Sequence, residues 1–325
     1  MSASVMNASW WQPQLGTGFQ YQLVGALNAS VPVSVYDVDI AAVDNPVSIA
    51  QVRTGNSTRK SNLKICRLWF KITITTVGAL ETDGSRADQS QFAASDLGNS
   101  YPGWPNEVFV DIRSANVRKI MAARFVAMQA AGCDGIEPDN TAFLYTQNTG
   151  FSPGISLDDD VAYLRWISAQ VHSLGMAVGA KNGGDVYSVQ TSLVSLFDFA
   201  VVESCAAQSN CDQYNLFVAA EKPVYAVDYL DAGSSDGCGT VVKSVSNACS
   251  VLTEHKFEGI VKNCELGSRV FECDLGGALY GGNSVADGND NGNTTTTSNA
   301  TATKLSIISH VLSSFSVFAA IIITI

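Results

Sequence analysis

The sequence predicts a (β/α)8 barrel, and three observations carry that prediction. Eight short apolar segments recur along the chain, separated by helical patterns or long loops. Nearly all of them end in charged or amide residues, as expected where a parallel barrel gathers its chemistry at the C-terminal rim. No GxGxxG or GxxxxGK follows the first strand, which removes the dinucleotide and P-loop sites of the main competitor, an open doubly wound sheet. A chain of 325 residues fits one such barrel, assigned to residues 10–280, without a second domain.

The first strand is expected at Pro32 to Ile40, whose alternation brings Asp37 and Asp39 to its end, and a short helix at Pro46 to Val52 comes next. Residues 54–76 are irregular: a polar, basic break precedes a β-rich run without clean alternation, so the second strand is expected within Lys71 to Ala79, before Glu81. Glu107 to Ile112 is the expected third strand and carries Asp111. Ser114 caps the helix behind it, whose Val117, Ile120, Met121, Phe125 and Met128 share one face and which stops at Gly132.

The stretch Gly132 to Asn140 organises the chain. It is a short strand closed by Glu137, Pro138 and Asp139; Pro138 cannot donate a ladder hydrogen bond, so the strand stops there and exposes Asp139 and Asn140. Asp134 suits a turn, whereas Glu137 and Asp139, one residue apart, point to the same side in extended geometry. Ser156 and Asp159 pair to cap the next helix, which ends at Gly175. Met176 to Ala180 then delivers Lys181 and Asn182, Val189 to Leu196 forms a short helix, and Phe197 to Val202 delivers Glu203. Pro223 to Val227 leads to Asp228 and Tyr229, and Phe257 to Val261 leads to Lys262 and Asn263.

A net charge of −11 and a pI near 4.6 leave no basic surface to follow nucleic-acid phosphates and suit a neutral or cationic ligand. Eight cysteines, six of them between Cys205 and Cys273, point to an oxidising compartment, though spacing does not fix their pairing. Without a CxxC pair and with His172, His255 and His310 scattered, no metal site or cofactor is expected. Sequons at Asn7, Asn28, Asn56, Asn293 and Asn299 favour a secreted glycoprotein. Met1 to Ser9 carries no leader pattern, which leaves an upstream start or an intracellular chain as alternatives. Residues 286–304 form a low-complexity linker, and residues 305–325 form an apolar tail that reads as a glycolipid-attachment signal in preference to a retained membrane anchor.

Carboxylates crowd the expected rim without a serine–histidine–acid set. That inventory suits glycosidic bond cleavage, in which one acid protonates the leaving oxygen and a second attacks or activates water. Glu203 follows an apolar run that offers the desolvation an acid needs to stay protonated. Tyr36, Trp104, Tyr145, Tyr225 and Tyr229 are aromatics near strand ends that suit stacking on sugar rings.

Several runs in order resemble glycoside hydrolase family 114, the endo-α-1,4-polygalactosaminidases: Trp11-Gln12-Pro13, Phe19 to Leu23, Val35 to Asp39, Gly103 to Glu107, Gly132 to Asn140, Gly179 to Asn182 and Phe197 to Cys205. The resemblance covers Trp10 to Cys273 and implies a (β/α)8 barrel that cleaves α-1,4-linked galactosamine within polymers, with retention of configuration. It implies Asp139 as nucleophile and Glu203 as acid/base, with Asp37, Lys181 and Tyr229 lining the cleft. Tyr36, Glu81, Asp111, Glu137 and Asp228 join the expected substrate-binding set from their places near strand ends. The implied partner is a cationic or partly N-acetylated galactosamine polysaccharide, bound by a monomer at the cell surface. Two departures stand out: Arg67 to Thr76 separates Cys66 from Val77-Gly78 like an insertion, and Asp228 stands where the family often has glutamate. With the anchoring tail, these motivate an alternative, a wall-anchored glycan-binding protein without turnover. A third reading keeps hydrolysis but takes a neutral α-galactan.

Overall fold

The computed structural model describes residues 10–25, 27–28, 31–39, 63–68, 88–102, 104–233, 238–273 and 278–280. Among them, eight parallel strands succeed one another around a (β/α)8 barrel: β1 (Phe19–Gln22), β2 (Val35–Asp39), β3 (Leu63–Leu68), β6 (Gly135–Pro138), β7 (Ala177–Lys181), β8 (Phe199–Glu203), β9 (Val224–Tyr229) and β10 (Glu258–Lys262). Two antiparallel strands, β11 (Val270–Glu272) and β12 (Ala278–Tyr280), extend the sheet beyond β10. Strands β4 (Leu97–Tyr101) and β5 (Trp104–Val110) form a separate antiparallel pair. The first and last barrel strands are joined by Lys262, whose Nζ donates to Gln20 Oε1 at 2.8 Å.

Alternation along the strands divides two apolar cores. Val178, Ala180, Ala200 and Val202 face the helices, while Ala177, Phe199, Val201, Tyr225 and Val227 belong to the second cluster with Phe19 and Tyr21. Gly179 makes this second core possible: a Cβ there would stand 2.3 Å from the Phe199 ring. Phe199 and Phe19 both pack on Tyr225, with ring centroids 5.8 and 5.0 Å from it.

Helix α1 (Ala115–Ala130) starts where Ser114 accepts from the N–H groups of Asn116 and Val117, and its buried residues include the five named from periodicity. Gly132, at φ +87°, reverses the chain behind it. Helix α2 (Leu157–Ser173) has the expected Ser156/Asp159 capping box. Helix α3 (Gly184–Val189) and a 3-10 turn at Thr191–Leu196 replace the single helix expected over Val189 to Leu196. Helices α4 (Cys205–Gln208), α5 (Asn215–Ala219) and α6 (Val245–Glu254) complete the outer layer among the described residues. None of the described helices is long and apolar enough to cross a membrane.

Three strand assignments change. Phe19–Gln22, not Pro32 to Ile40, opens the ring, because four residues of alternating aromatic and glutamine carry little apolar signal. Leu63–Leu68 holds the third position, while the stretch Lys71 to Ala79 expected to supply a strand lies outside the described residues, as do the helix at Pro46 to Val52, the linker and the apolar tail. Glu107 to Ile112 overlaps β5, which pairs with β4 and not with the barrel.

Disulfides join Cys205 to Cys211, Cys238 to Cys264 and Cys249 to Cys273, and Cys133 is disulfide-bonded as well. At the opposite end of the strands from the rim, Trp10 stacks on His172 at 4.0 Å and donates to Asp198, fastening the chain's entry to the barrel. Although burial works against it, hydrogen bonds from His172, Trp10 and Val178 N–H hold the Asp198 carboxyl below its usual range.

Candidate active site

Neighbouring strands β6, β7 and β8 place Asp139, Lys181 and Glu203 at adjoining points of the rim, the first just past its strand and the others at their strands' last residue. The Lys181 side chain is fully buried. Its Nζ lies 2.7 Å from Asp139 Oδ1, 2.8 Å from Glu203 Oε2 and 3.4 Å from Glu137 Oε1. Two oxygens held at 2.7 and 2.8 Å by one nitrogen are no more than about 5.5 Å apart, so the Asp139 and Glu203 carboxyls face each other across a single gap.

Each catalytic candidate has further donors. Asp139 Oδ1 accepts from Asn140 N–H at 2.9 Å. Glu203 Oε1 accepts from Tyr229 OH at 2.6 Å and Tyr21 OH at 3.4 Å, while Oε2 accepts from Asn182 Nδ2 at 3.2 Å. Of the two, Glu203 is the more open, with a quarter of its side chain exposed against 6% for Asp139. Asp37 lies buried on β2 with no hydrogen-bond partner for either carboxyl oxygen among the described residues. Burial first, then Glu137, pushes it well above the usual carboxylate range, against the lowering field of Lys181. That shift favours its protonated form, so Asp37 adds less negative charge to the cluster around Lys181.

Above these groups opens a cavity of about 590 Å3, lined on one side by Asn140, Phe143, Asp185 and Tyr214 and on the other by Leu23, Val24, Glu265 and Leu266. Asp139, Asn182, Glu203 and Tyr229 line it between them. Residues 2–277 match the profile of Glycoside-hydrolase family GH114. The chain belongs to that family. It is accordingly a glycoside hydrolase.

Among solved structures, this GH114 chain is similar to Ega3 of Aspergillus fumigatus in complex with galactosamine, with 28% identity, a TM-score of 0.66, and coverage of 84% of this chain and 99% of that one. The glycoside hydrolase domain of PelA from Pseudomonas aeruginosa shares the fold at 15% identity and a TM-score of 0.52, over 77% of this chain and 95% of its own. No curated protein matches.

Of the residues expected at the GH114 site, Asp37, Glu137, Asp139, Lys181, Glu203 and Tyr229 are brought together. Four are not. Tyr36 is buried and donates to Val31 O at 2.6 Å. Asp111 follows β5 and chelates the Arg113 guanidinium at 2.8 and 2.9 Å, which holds its carboxyl below the usual range. Asp228 alternates to the outer side of β9, where it accepts from the N–H groups of Ala206 and Ala207 in the first turn of α4. Glu81 lies outside the described residues. Sequence reading overlooked Tyr21, Asn182 and Tyr101 as site residues. Tyr21 was legible in the alternation Phe19-Gln20-Tyr21-Gln22 once that run is taken as a strand, whereas Tyr101 reaches the cavity from the β4/β5 pair, and no local pattern announces that.

Proposed function

We propose that the chain is an endo-acting glycosidase that cleaves α-1,4-linked galactosamine in cationic or partly N-acetylated polysaccharides, with retention of configuration. The observation that carries this reading is the single buried ammonium of Lys181 shared by Asp139 and Glu203. The bound of about 5.5 Å on their nearest oxygens is compatible with the roughly 5–5.5 Å of retaining enzymes and supports that reading over the roughly 6.5–9.5 Å that leaves room for a water in inverting ones. The galactosamine in the Ega3 complex supports the sugar. So does charge: Asp185 and Glu265 on the cavity wall and a net charge of −11 favour the approach of a polycation.

In the first step Asp139 attacks the anomeric carbon while Glu203 gives its proton to the departing glycosidic oxygen, leaving a glycosyl ester on Asp139. In the second, Glu203 takes a proton from water, the water oxygen displaces Asp139, and both carboxyls return to their starting states. Lys181 keeps Asp139 ionised for attack and offsets the charge of its neighbours.

The disulfides and sequons fit a protein exported to the cell surface as a monomer, with residues 10–280 as the catalytic barrel, residues 286–304 as linker and residues 305–325 as a lipid-attachment signal. The test is mass spectrometry of products from deacetylated and N-acetylated polygalactosamine and a neutral galactan, beside Asp139→Asn and Glu203→Gln. Oligogalactosamines from the parent and a loss of at least about 100-fold in each variant are expected. Unchanged turnover in both variants would sink the residue assignment, and turnover of the neutral galactan alone would sink the substrate.

A further inference from the structure

The strand ends that carry the site share an unusual backbone. Asn140, Asn182 and Ser204, the residues directly after Asp139, Lys181 and Glu203, have φ of +53°, +47° and +59°. Left-handed geometry is uncommon for residues with a Cβ and persists where the surroundings hold it. At Asn182 the structure shows what holds it. Asn182 N–H continues the β7–β8 ladder by donating to Val201 O at 3.0 Å. In a parallel ladder that simply ran on, the next bond would go from Glu203 N–H to the main-chain carbonyl of Asn182. The side-chain Oδ1 of Asn182 accepts it instead, at 2.9 Å, and the Nδ2 of the same amide donates to Glu203 Oε2 at 3.2 Å.

We infer that Asn182 is the positioning residue of the acid/base carboxylate, holding Glu203 by its own main-chain N–H and by one carboxyl oxygen at once. This rests on the reading of Glu203 as acid/base. The task needs an acceptor and a donor on one short side chain: aspartate supplies only acceptors, and alanine or glycine supplies neither. With Lys181 and Asn182 on Oε2 and Tyr229 and Tyr21 on Oε1, each oxygen has its own pair of donors, so the plane of the carboxyl is fixed before substrate arrives.

The experiment compares Asn182→Gly, which loses both bonds but suits the left-handed turn, and the isosteric Asn182→Asp with the parent and Glu203→Gln. Reducing-end release gives kcat and KM across pH, and carbon NMR of protein labelled at glutamate carboxyls follows the Glu203 titration, assigned by the signal missing from Glu203→Gln. Asn182→Gly is expected to lower kcat by about 100-fold with KM little changed, the signature of a misplaced reacting group. Asn182→Asp sets a like charge against Oε2, so the Glu203 titration and the alkaline limb of kcat/KM should both move up by about one pH unit. Near-parental kcat in Asn182→Gly beside an inactive Glu203→Gln overturns the inference, as does an unmoved Glu203 titration in Asn182→Asp. Full activity in Glu203→Gln overturns the functional reading instead, and the NMR titration still decides the role of Asn182.

Discussion

Replacing Lys181 by methionine tests the electrostatic logic of the site most directly. The ammonium is fully buried and lies 2.7, 2.8 and 3.4 Å from three carboxylates, of which Glu137 is also fully buried and Asp139 nearly so. At an effective dielectric of about 20, the closest contact, with Asp139, carries on the order of 6 kcal/mol of attraction, most of it offset by the desolvation of the charges. Removing one partner leaves that desolvation uncompensated, so Lys181→Met should lose about 3–5 kcal/mol at pH 7.5. Without the cation, the folded state takes up protons that the unfolded chain, with carboxyl pKa values of about 4, does not hold at neutral pH. Acids whose folded pKa is raised contribute stability that is present at low pH and lost as pH rises, the sense expected of buried Asp37 in the parent. The gap between variant and parent should therefore shrink towards pH 4.5 and reach full size at pH 7.5. Urea unfolding followed by tryptophan fluorescence at both pH values reads it. A gap below about 1 kcal/mol at pH 7.5, or one that does not change with pH, would refute the argument.

Tyr229→Phe removes the 2.6 Å bond to Glu203 and should lower kcat about tenfold, equivalent to about 1.4 kcal/mol, in a reducing-end assay. Asp228→Ala should leave KM and kcat near parental values while costing about 0.5–2 kcal/mol in chemical denaturation, because the carboxyl caps α4 outside the barrel. Burial raises Asp160 to about 7, so its contribution to stability is complete below its unfolded value near 3.8 and lost as pH rises through 7. Asp160→Asn should accordingly gain on the parent by up to about 1.4 kcal/mol for each pH unit between about 3.8 and 7 in unfolding titrations, with no further gain above 7. Asp198, held low by its donors, has the opposite sense: its contribution is present above the unfolded carboxylate range and lost in acid, and Asp198→Asn should flatten the acid limb of the melting profile.

The proposed catalytic pair was legible as neighbouring rim residues because each member closes a strand whose apolar run is clear: Ile136 before Glu137-Pro138-Asp139, and Ala200 to Val202 before Glu203. The expected number of barrel strands came out right through two compensating errors. Phe19–Gln22 went unseen because its polar members are glutamines buried by specific hydrogen bonds, such as Gln20 to Ser268 O and Lys262, which a hydropathy pattern cannot register. Glu107 to Ile112 entered the ring because β4/β5 pairing buries one face as a barrel strand would, with Glu107 and Phe109 both buried. Asp228 was misplaced by one step of alternation: Tyr229 turns inward to Glu203, so the residue before it must turn outward. The Asp139–Lys181–Glu203 contact joins three strands distant in sequence, and residue types at strand ends announce its members without fixing their distances.

The Cys238–Cys264 bridge bears on how a polymer enters. Both sulfurs belong to residues on the cavity wall, and the bond ties the loop after β9 to the loop after β10. Two loops sewn together surrender much of the freedom that a hinged flap needs, so this bank of the groove stands ready-made before any sugar arrives. On the proposed endo-acting reading, a chain with many sugars can then settle into the cavity without waiting for a gate on this side.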